Sequence, residues 1–280
     1  MVIVSAAAGV VLLAAAKSER AIESQYGRIE IRRTDEGQVL LIDGLPQTGL
    51  PRDAVIAPWE GLRHGYLVET ALLAHPEARD ALIIGLGAAL APRLLEAHGV
   101  RCLSVEIDPA VVEVARREFG FEGKVAVADG RRYLAGSHEK WDLIVIDVCT
   151  SERLPWHIFT AEGLRAARAR LKPDGLVAIQ FIGDDGPWSA ALYRTVRHVF
   201  GSAVILAPRT WRMPVGPRLI LAGLAPITPP GRERRDERLP WEWIVPRSKG
   251  PLLTDDHFPA EMDWARTAAL WRRIYGFGKD

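Results

Sequence analysis

Apolar and polar residues alternate along 28–43 with the period of two that a half-buried strand requires. Arg28-Ile29-Glu30-Ile31-Arg32-Arg33 and Gln38-Val39-Leu40-Leu41-Ile42-Asp43 flank Thr34-Asp35-Glu36-Gly37, where a glycine makes a positive φ cheap. This pattern predicts a small β-hairpin unit. Residues 44–63 contain Pro46, Gly49, Pro51 and Pro58 and read as a loop. The period then changes to that of a helix, with Leu62, Tyr66, Glu69, Leu72 and Leu73 at helical spacing up to His75-Pro76.

A regular alternation of strands and helices follows. Ala81–Ile84 is wholly apolar and leads into Gly85-Leu86-Gly87 and a helix through Arg93-Leu94-Leu95-Glu96. Cys102–Glu106 is a second strand; Asp108-Pro109 then supplies an N-cap and a first helical residue. Lys124–Ala128 is a third strand, ending at Asp129-Gly130. Leu143–Ile146 is a fourth, ending at Asp147, and Leu176–Phe181 a fifth, after a Lys172-Pro173-Asp174-Gly175 turn. Strands apolar throughout, separated by helices, predict an α/β fold with a doubly wound parallel sheet covered on both faces. Ala203–Leu206 and Arg218–Leu221 finish the unit. From Pro226 the chain changes to a mixed-charge run, 231–238, and a Trp-rich stretch with a terminal helix face of Trp264, Leu270 and Ile274. The expected organisation is an amino-terminal apolar segment (1–20), the hairpin unit with its linking helix (21–75), the sheet domain (76–225) and a carboxyl-terminal arm packed back on it (226–280).

Composition narrows the partners. The 36 basic and 35 acidic residues of the 280 leave a net charge of +1, which provides no long-range field for nucleic acid. Two cysteines build neither a disulfide framework nor a zinc site, and no metal is expected. In a sheet ordered 3-2-1-4-5, strand one separates Cys102 from Cys149, so both are expected to be free. Met1–Ala16 is almost wholly apolar. It reads as a membrane anchor or export signal, as the stump of a longer transmembrane helix, or as a buried helix.

In such a sheet the ligand lies beyond the carboxyl ends of the strands. Gly85 and Gly87 there let backbone approach a ligand. Glu106, nineteen residues past Gly87, can accept both hydrogen bonds of a ribose diol, or be a surface acid at a strand end. Asp129 can accept from an adenine amino group or form a turn with Gly130. Asp147, across from Gly85, faces the middle of the cleft as a candidate general base.

These residues resemble the spermidine-synthase-like branch of the S-adenosylmethionine-dependent transferases, from about Gln25 to Leu224. The resemblance rests on the hairpin closing in Asp43-Gly44 with Gln47 after it, His64, His75-Pro76, the loop 85–87, Val105-Glu106-Ile107-Asp108-Pro109, Asp129-Gly130 and Asp147. It implies a Rossmann-like sheet of the class I methyltransferase type. It also implies that Glu106 holds the donor ribose, Asp129 the adenine, that Gln47 and His64 border the donor, and that Asp147 deprotonates an attacking amine. The implied donor is S-adenosylmethionine or its decarboxylated form, the acceptor a small amine, and the assembly a homodimer. The implied location is the cytoplasm, with membrane anchoring through residues 1–16 as the alternative.

Departures from the family pattern are concentrated on its acids. The loop acid is Ala88, the second acid of the strand-four Asp-x-x-Asp is Thr150, and the Tyr-His-Glu reads Arg63-His64-Gly65. These losses remove groups that would grip cationic amines, and leave methyl transfer or a non-catalytic nucleoside-binding descendant as alternatives. Asp255 or Asp256, in a tail segment similar to that of membrane-fused bacterial relatives, could supply a missing acid or cap a helix.

Overall fold

Gly27, with φ +146°, and the Asp43-Gly44 pair, with φ +48° and +74°, are the corners on which the amino-terminal part turns. The computed structural model describes residues 18–34, 37–51, 63–148, 155–208, 215–227, 241–244, 250–259 and 269. β1 (Ser18–Ser24), β2 (Gly27–Thr34), β3 (Gly37–Ile42) and β4 (Leu45–Pro51) form an antiparallel sheet in that order. The left-handed pair at 43–44 is the two-residue turn whose twist matches the flanking strands, and Asp43 Oδ1 accepts from Arg28 N–H at 2.8 Å. The hairpin predicted from 28–43 is therefore the centre of a four-stranded sheet. The loop expected over 44–63 begins instead with β4, which tolerates Pro46 and Pro51 because it is an edge strand with a register slip opposite Leu40/Leu41.

The second sheet has the order β12-β10-β11-β9-β8-β5-β6-β7. Its parallel part is β5 (Asp80–Ile84), β6 (Arg101–Glu106), β7 (Lys124–Val127), β8 (Trp141–Ile146) and β9 (Leu171–Gly183), which realises the expected 3-2-1-4-5 order. β10 (Ser202–Pro208) and β11 (Gly216–Gly223) add antiparallel, and β12 (Trp241–Trp243), which the pattern did not suggest, pairs at the edge. The turn expected at 172–175 lies inside β9, as an irregularity between Leu171 and Leu176 opposite Trp141 and Leu143.

The helices cover both faces. α1 (Arg63–Ala74) and α2 (Leu90–Ala97) pack Leu67, Leu94 and Leu95 against Ile83, Val145 and Leu219. α4 (Gly130–Gly136), α5 (Ala161–Arg168) and α6 (Pro187–Phe200) pack Leu134, Leu164 and Trp188 against Ile144, Ile146 and Ile179. With both faces covered, every residue of β8 is buried, which is why its sequence does not alternate.

α3 (Pro109–Arg117) carries the amino-terminal sheet. Asp108 caps it by accepting from Ala110 N–H, with Pro109 at its first position, as the sequence indicates. Ile29, Ile31 and Leu40 bury against Val111, Ala115, Phe119 and Phe121, each worth roughly 1.5–3 kcal/mol of transfer free energy. Glu118, just past the helix, fixes the register: Arg20 and Arg33 pair with it at 2.8 and 2.7 Å, and Gln38 Nε2 donates to its carbonyl at 2.6 Å.

Residues 250–259 fold back on the sheet domain. Leu253 is fully buried, its N–H donates to Thr195 Oγ1 at 3.0 Å, and its carbonyl accepts from Ala161 N–H at 2.8 Å. The apolar run 1–16, the charged run 231–238, the Trp264/Leu270/Ile274 face, Cys149 and Thr150 lie outside the described residues. No helix among the described residues is long and apolar enough to cross a membrane.

Candidate functional site

A cleft of about 980 Å³ opens at the carboxyl ends of β5, β6 and β8, beneath the amino-terminal sheet. Gln47, Gly85, Gly87, Glu106, Asp129, Gly130 and Asp147 all line it. Seven of the eight residues singled out from sequence are thus brought to one place. His64 lies in α1, but its side chain is outside the described residues.

Glycines shape the floor. Gly85 has φ +98°, and a Cβ there would stand 2.2 Å from the carbonyl oxygen of Asp147. The Asp147 N–H donates to Ile84 O at 3.0 Å, so strand and loop cross too closely for any side chain. Gly87 has φ +55°, and its missing Cβ would meet Thr48 Oγ1 at 2.9 Å. Gly130 opens α4 against Ile84, which a Cβ would strike at 2.3 Å.

Glu106 ends β6 almost fully buried. Its Oε2 accepts from Leu86 N–H at 2.9 Å and its Oε1 from Asp108 N–H at 3.0 Å. Burial raises its pKa, and the nearby Asp108 charge adds to this, while the backbone amides work in the opposite direction. Backbone amides thus hold the carboxylate in place, and it lines the cleft as a hydrogen-bond acceptor. Asp108, which the sequence marked only as a cap, also accepts from Ser24 Oγ at 2.6 Å and ties β1 to the cleft wall.

Asp129 caps α4 by accepting from Arg132 N–H at 2.8 Å, a helical role in place of the simple turn weighed from sequence. Its second oxygen faces His157 Nε2 at 2.9 Å. Burial would raise this carboxyl, but the Arg132 amide and the His157 ring hold it below its ordinary value. At the opposite side of the cleft, Asp147 Oδ1 accepts from Gln180 Nε2 at 3.2 Å.

Residues 60–190 match the spermine/spermidine synthase domain. The chain is 34% identical over 180 residues to polyamine aminopropyltransferase 2 of Pseudomonas aeruginosa, covering 58% of this chain and 49% of that protein. It is 34% identical over 159 residues to an N-terminal histidine N-methyltransferase of Emericella nidulans, covering 53% of this chain and 28% of that protein. A probable spermidine synthase from Corynebacterium glutamicum superposes with a TM-score of 0.70 at 18% identity, over 86% of this chain and 97% of that one. Over these residues the chain is similar to the spermine/spermidine synthase domain and to polyamine aminopropyltransferases. It spans about half the length of the Pseudomonas relative and less of the Emericella one.

Against the spermidine synthase-like pattern, the structure shows what became of two acid positions. Ala88, in place of the loop acid, is fully buried among Ile29, Ile31 and Leu40 and does not line the cleft. Asp255, considered as a replacement acid, is not among the lining residues; it pairs with Arg131 instead. Cys102 is a core thiol in β6, pushed up to about 12 by burial and the Glu96 charge. Among the described residues no group of three His, Cys, Asp or Glu side chains is placed to hold a metal.

Sequence reasoning missed Tyr26, Thr48, Asp108 and His157, all of which line the cleft. Of these, Asp108 stood in the Glu106-Ile107-Asp108-Pro109 segment, two residues past a named site residue. His157 carried no local signal, because its partner Asp129 is 28 residues away.

Proposed function

We propose that the chain is a transferase that moves an alkyl group from an S-adenosyl sulfonium donor to an amine, with aminopropyl transfer to a small amine as the main reading. The observation that carries it is the convergence of Glu106, Asp129 and Asp147 on one cleft at the carboxyl ends of β6, β7 and β8. The fit to such a donor rests on two features. Glu106 is held by the Leu86 and Asp108 amides and lines the cleft as an acceptor, and Gly85 and Gly87 bring bare backbone to its floor.

The donor supplies a carbon activated by positively charged sulfur, which leaves as a neutral thioether when the amine nitrogen attacks. The protein's part is then orientation and removal of one proton. Glu106 holds the ribose, Asp129 holds the base ring, and Gln47 and His64 border the donor. Asp147 accepts the proton that the nitrogen loses as its new bond to carbon forms, and Gln180 holds the carboxylate that does so.

Methyl transfer from S-adenosylmethionine is the second reading. It is favoured by Ala88, whose burial under the amino-terminal sheet leaves no carboxylate at the loop position to balance the amine of the decarboxylated donor, whereas S-adenosylmethionine carries its own carboxylate. Incubation with putrescine and the decarboxylated donor tests the first reading, with methylthioadenosine as the expected product; the second takes a non-polyamine acceptor, and calorimetry in which the decarboxylated donor binds tighter than S-adenosylmethionine would overturn it. Failure to bind either donor in calorimetry would overturn both and leave a non-catalytic descendant. The reading carries with it a cytoplasmic location for the catalytic part.

A further inference from the structure

The donor reading gives Asp129 a task and leaves its neighbour without one. His157 lies on the 3-10 turn Trp156–Ile158 and lines the cleft. Its Nε2 is 2.9 Å from Asp129 Oδ2. A carboxylate can only accept, so this contact is made with the hydrogen on Nε2. With Arg132 N–H on Oδ1 and His157 on Oδ2, the plane of the carboxylate is fixed at both ends. What remains for a ligand is acceptor capacity alone, pointing into the cleft.

The backbone of the turn that carries the ring is held from behind. Arg131 Nη1 donates to the His157 carbonyl at 3.0 Å and pairs with Asp255 through two contacts of 2.7 and 2.5 Å. Thr160 Oγ1 lies within hydrogen-bonding distance of both the His157 carbonyl and Asp255 Oδ1, at 3.1 and 2.8 Å. On this fixed turn the imidazole stands between Asp129 and the edge of Trp156, 6.1 Å away between ring centroids.

We infer that His157 is a positioning residue that fixes the Asp129 carboxylate, so that the cleft selects a purine bearing a 6-amino group over one bearing a 6-oxo group. The inference rests on the donor reading. An amino group donates to the fixed carboxylate, whereas a 6-oxo group brings its lone pairs against it. A site built to receive an N–H rejects the analogue that lacks it. Released from His157, Asp129 can turn aside and tolerate either ring.

The test is calorimetric titration of the wild-type protein, His157→Ala and His157→Gln with methylthioadenosine and methylthioinosine. The wild type should prefer the adenine compound by about tenfold or more, the scale of one hydrogen bond to a charged group. His157→Ala should bring the two affinities within about threefold. His157→Gln, whose amide can reach Asp129, should restore most of the preference. An unchanged ratio in His157→Ala, or a glutamine variant no better than alanine, would overturn the assignment. Should His157→Ala fail to fold, judged by its melting curve, His157→Asn replaces it, because its amide is too short to reach. A wild type that binds both compounds equally refutes the role of His157 while the donor reading stands. A wild type that binds neither refutes the donor reading and this inference with it.

Discussion

Gln180 Nε2 donates to Asp147 Oδ1 across 3.2 Å, from inside β9 to the end of the adjacent β8. Gln180 is buried, and its own Oε1 has no hydrogen-bond partner among the described residues.

Asp147→Asn should leave donor binding within about twofold and reduce turnover by at least about a hundredfold, the scale of lost general base catalysis. Gln180→Leu should lower turnover about tenfold with little change in donor affinity, by freeing the base from one hydrogen bond. Single-turnover kinetics beside calorimetry reads both. Full activity in Asp147→Asn would remove the base assignment.

Glu106→Gln should weaken donor binding by about tenfold to a hundredfold, the scale of one to two charge-assisted hydrogen bonds. The new amide nitrogen must face either Leu86 N–H or Asp108 N–H, donor against donor. Because burial raises the Glu106 pKa, wild-type affinity should fall on acidification at a pH above the usual carboxylate range, and the glutamine variant should show no such step. The stability contribution has the opposite sign. The folded state holds this proton more tightly than the unfolded chain, so protonation there adds stability as the pH falls. Affinity and melting temperature measured on one pH series would show the two trends crossing.

Gly85→Ala should abolish donor binding or solubility, since its Cβ would lie 2.2 Å from the Asp147 carbonyl in a left-handed backbone. Gly99→Ala serves as the control: its φ is +79°, yet nothing lies within 4 Å, so only backbone strain of about 1 kcal/mol is added. Comparable behaviour of the two variants in a melting experiment would show that close approach is not what Gly85 provides.

At the far end of the sheet, Lys172 bridges Asp80 at 3.0 Å and Asp142 at 2.9 Å. Burial alone would raise the Asp142 carboxyl, but Lys172 and the amides of Arg79 and Asp80 bring it below its ordinary value. Its stabilisation is present above the unfolded pKa and is lost as the pH falls through the lower folded one. For Lys172, raised by the two carboxylates, stability is present below the unfolded value and is lost as the pH rises through the folded one. Lys172→Met should therefore lower the melting temperature most at neutral pH and flatten its dependence towards both extremes.

The parallel core was legible because burial on two faces leaves an unmistakable mark: Leu143-Ile144-Val145-Ile146 contains no polar residue at all. The same logic placed Glu106, Asp129 and Asp147, since a charge directly after such a run sits at a strand end. β4 was not legible, because its prolines are read locally as loop and only its position at a sheet edge makes them acceptable. β12 is three residues long and exists through pairing with β10. His157 escaped for a related reason. Its significance is a contact with Asp129 that only tertiary structure creates.

Arg131 and Asp255 are 124 residues apart in the chain. The cleft wall at 155–160 is therefore completed by a segment that leaves the ribosome long after every parallel strand has been made. A polypeptide that stops short of Leu253 would carry the whole parallel sheet and still lack the brace behind its base-binding edge. Closing so long a loop is entropically costly and slow relative to local contacts. The wall at 155–160 is therefore expected to mature last, and to be the first part of the cleft lost when the end of the chain comes away.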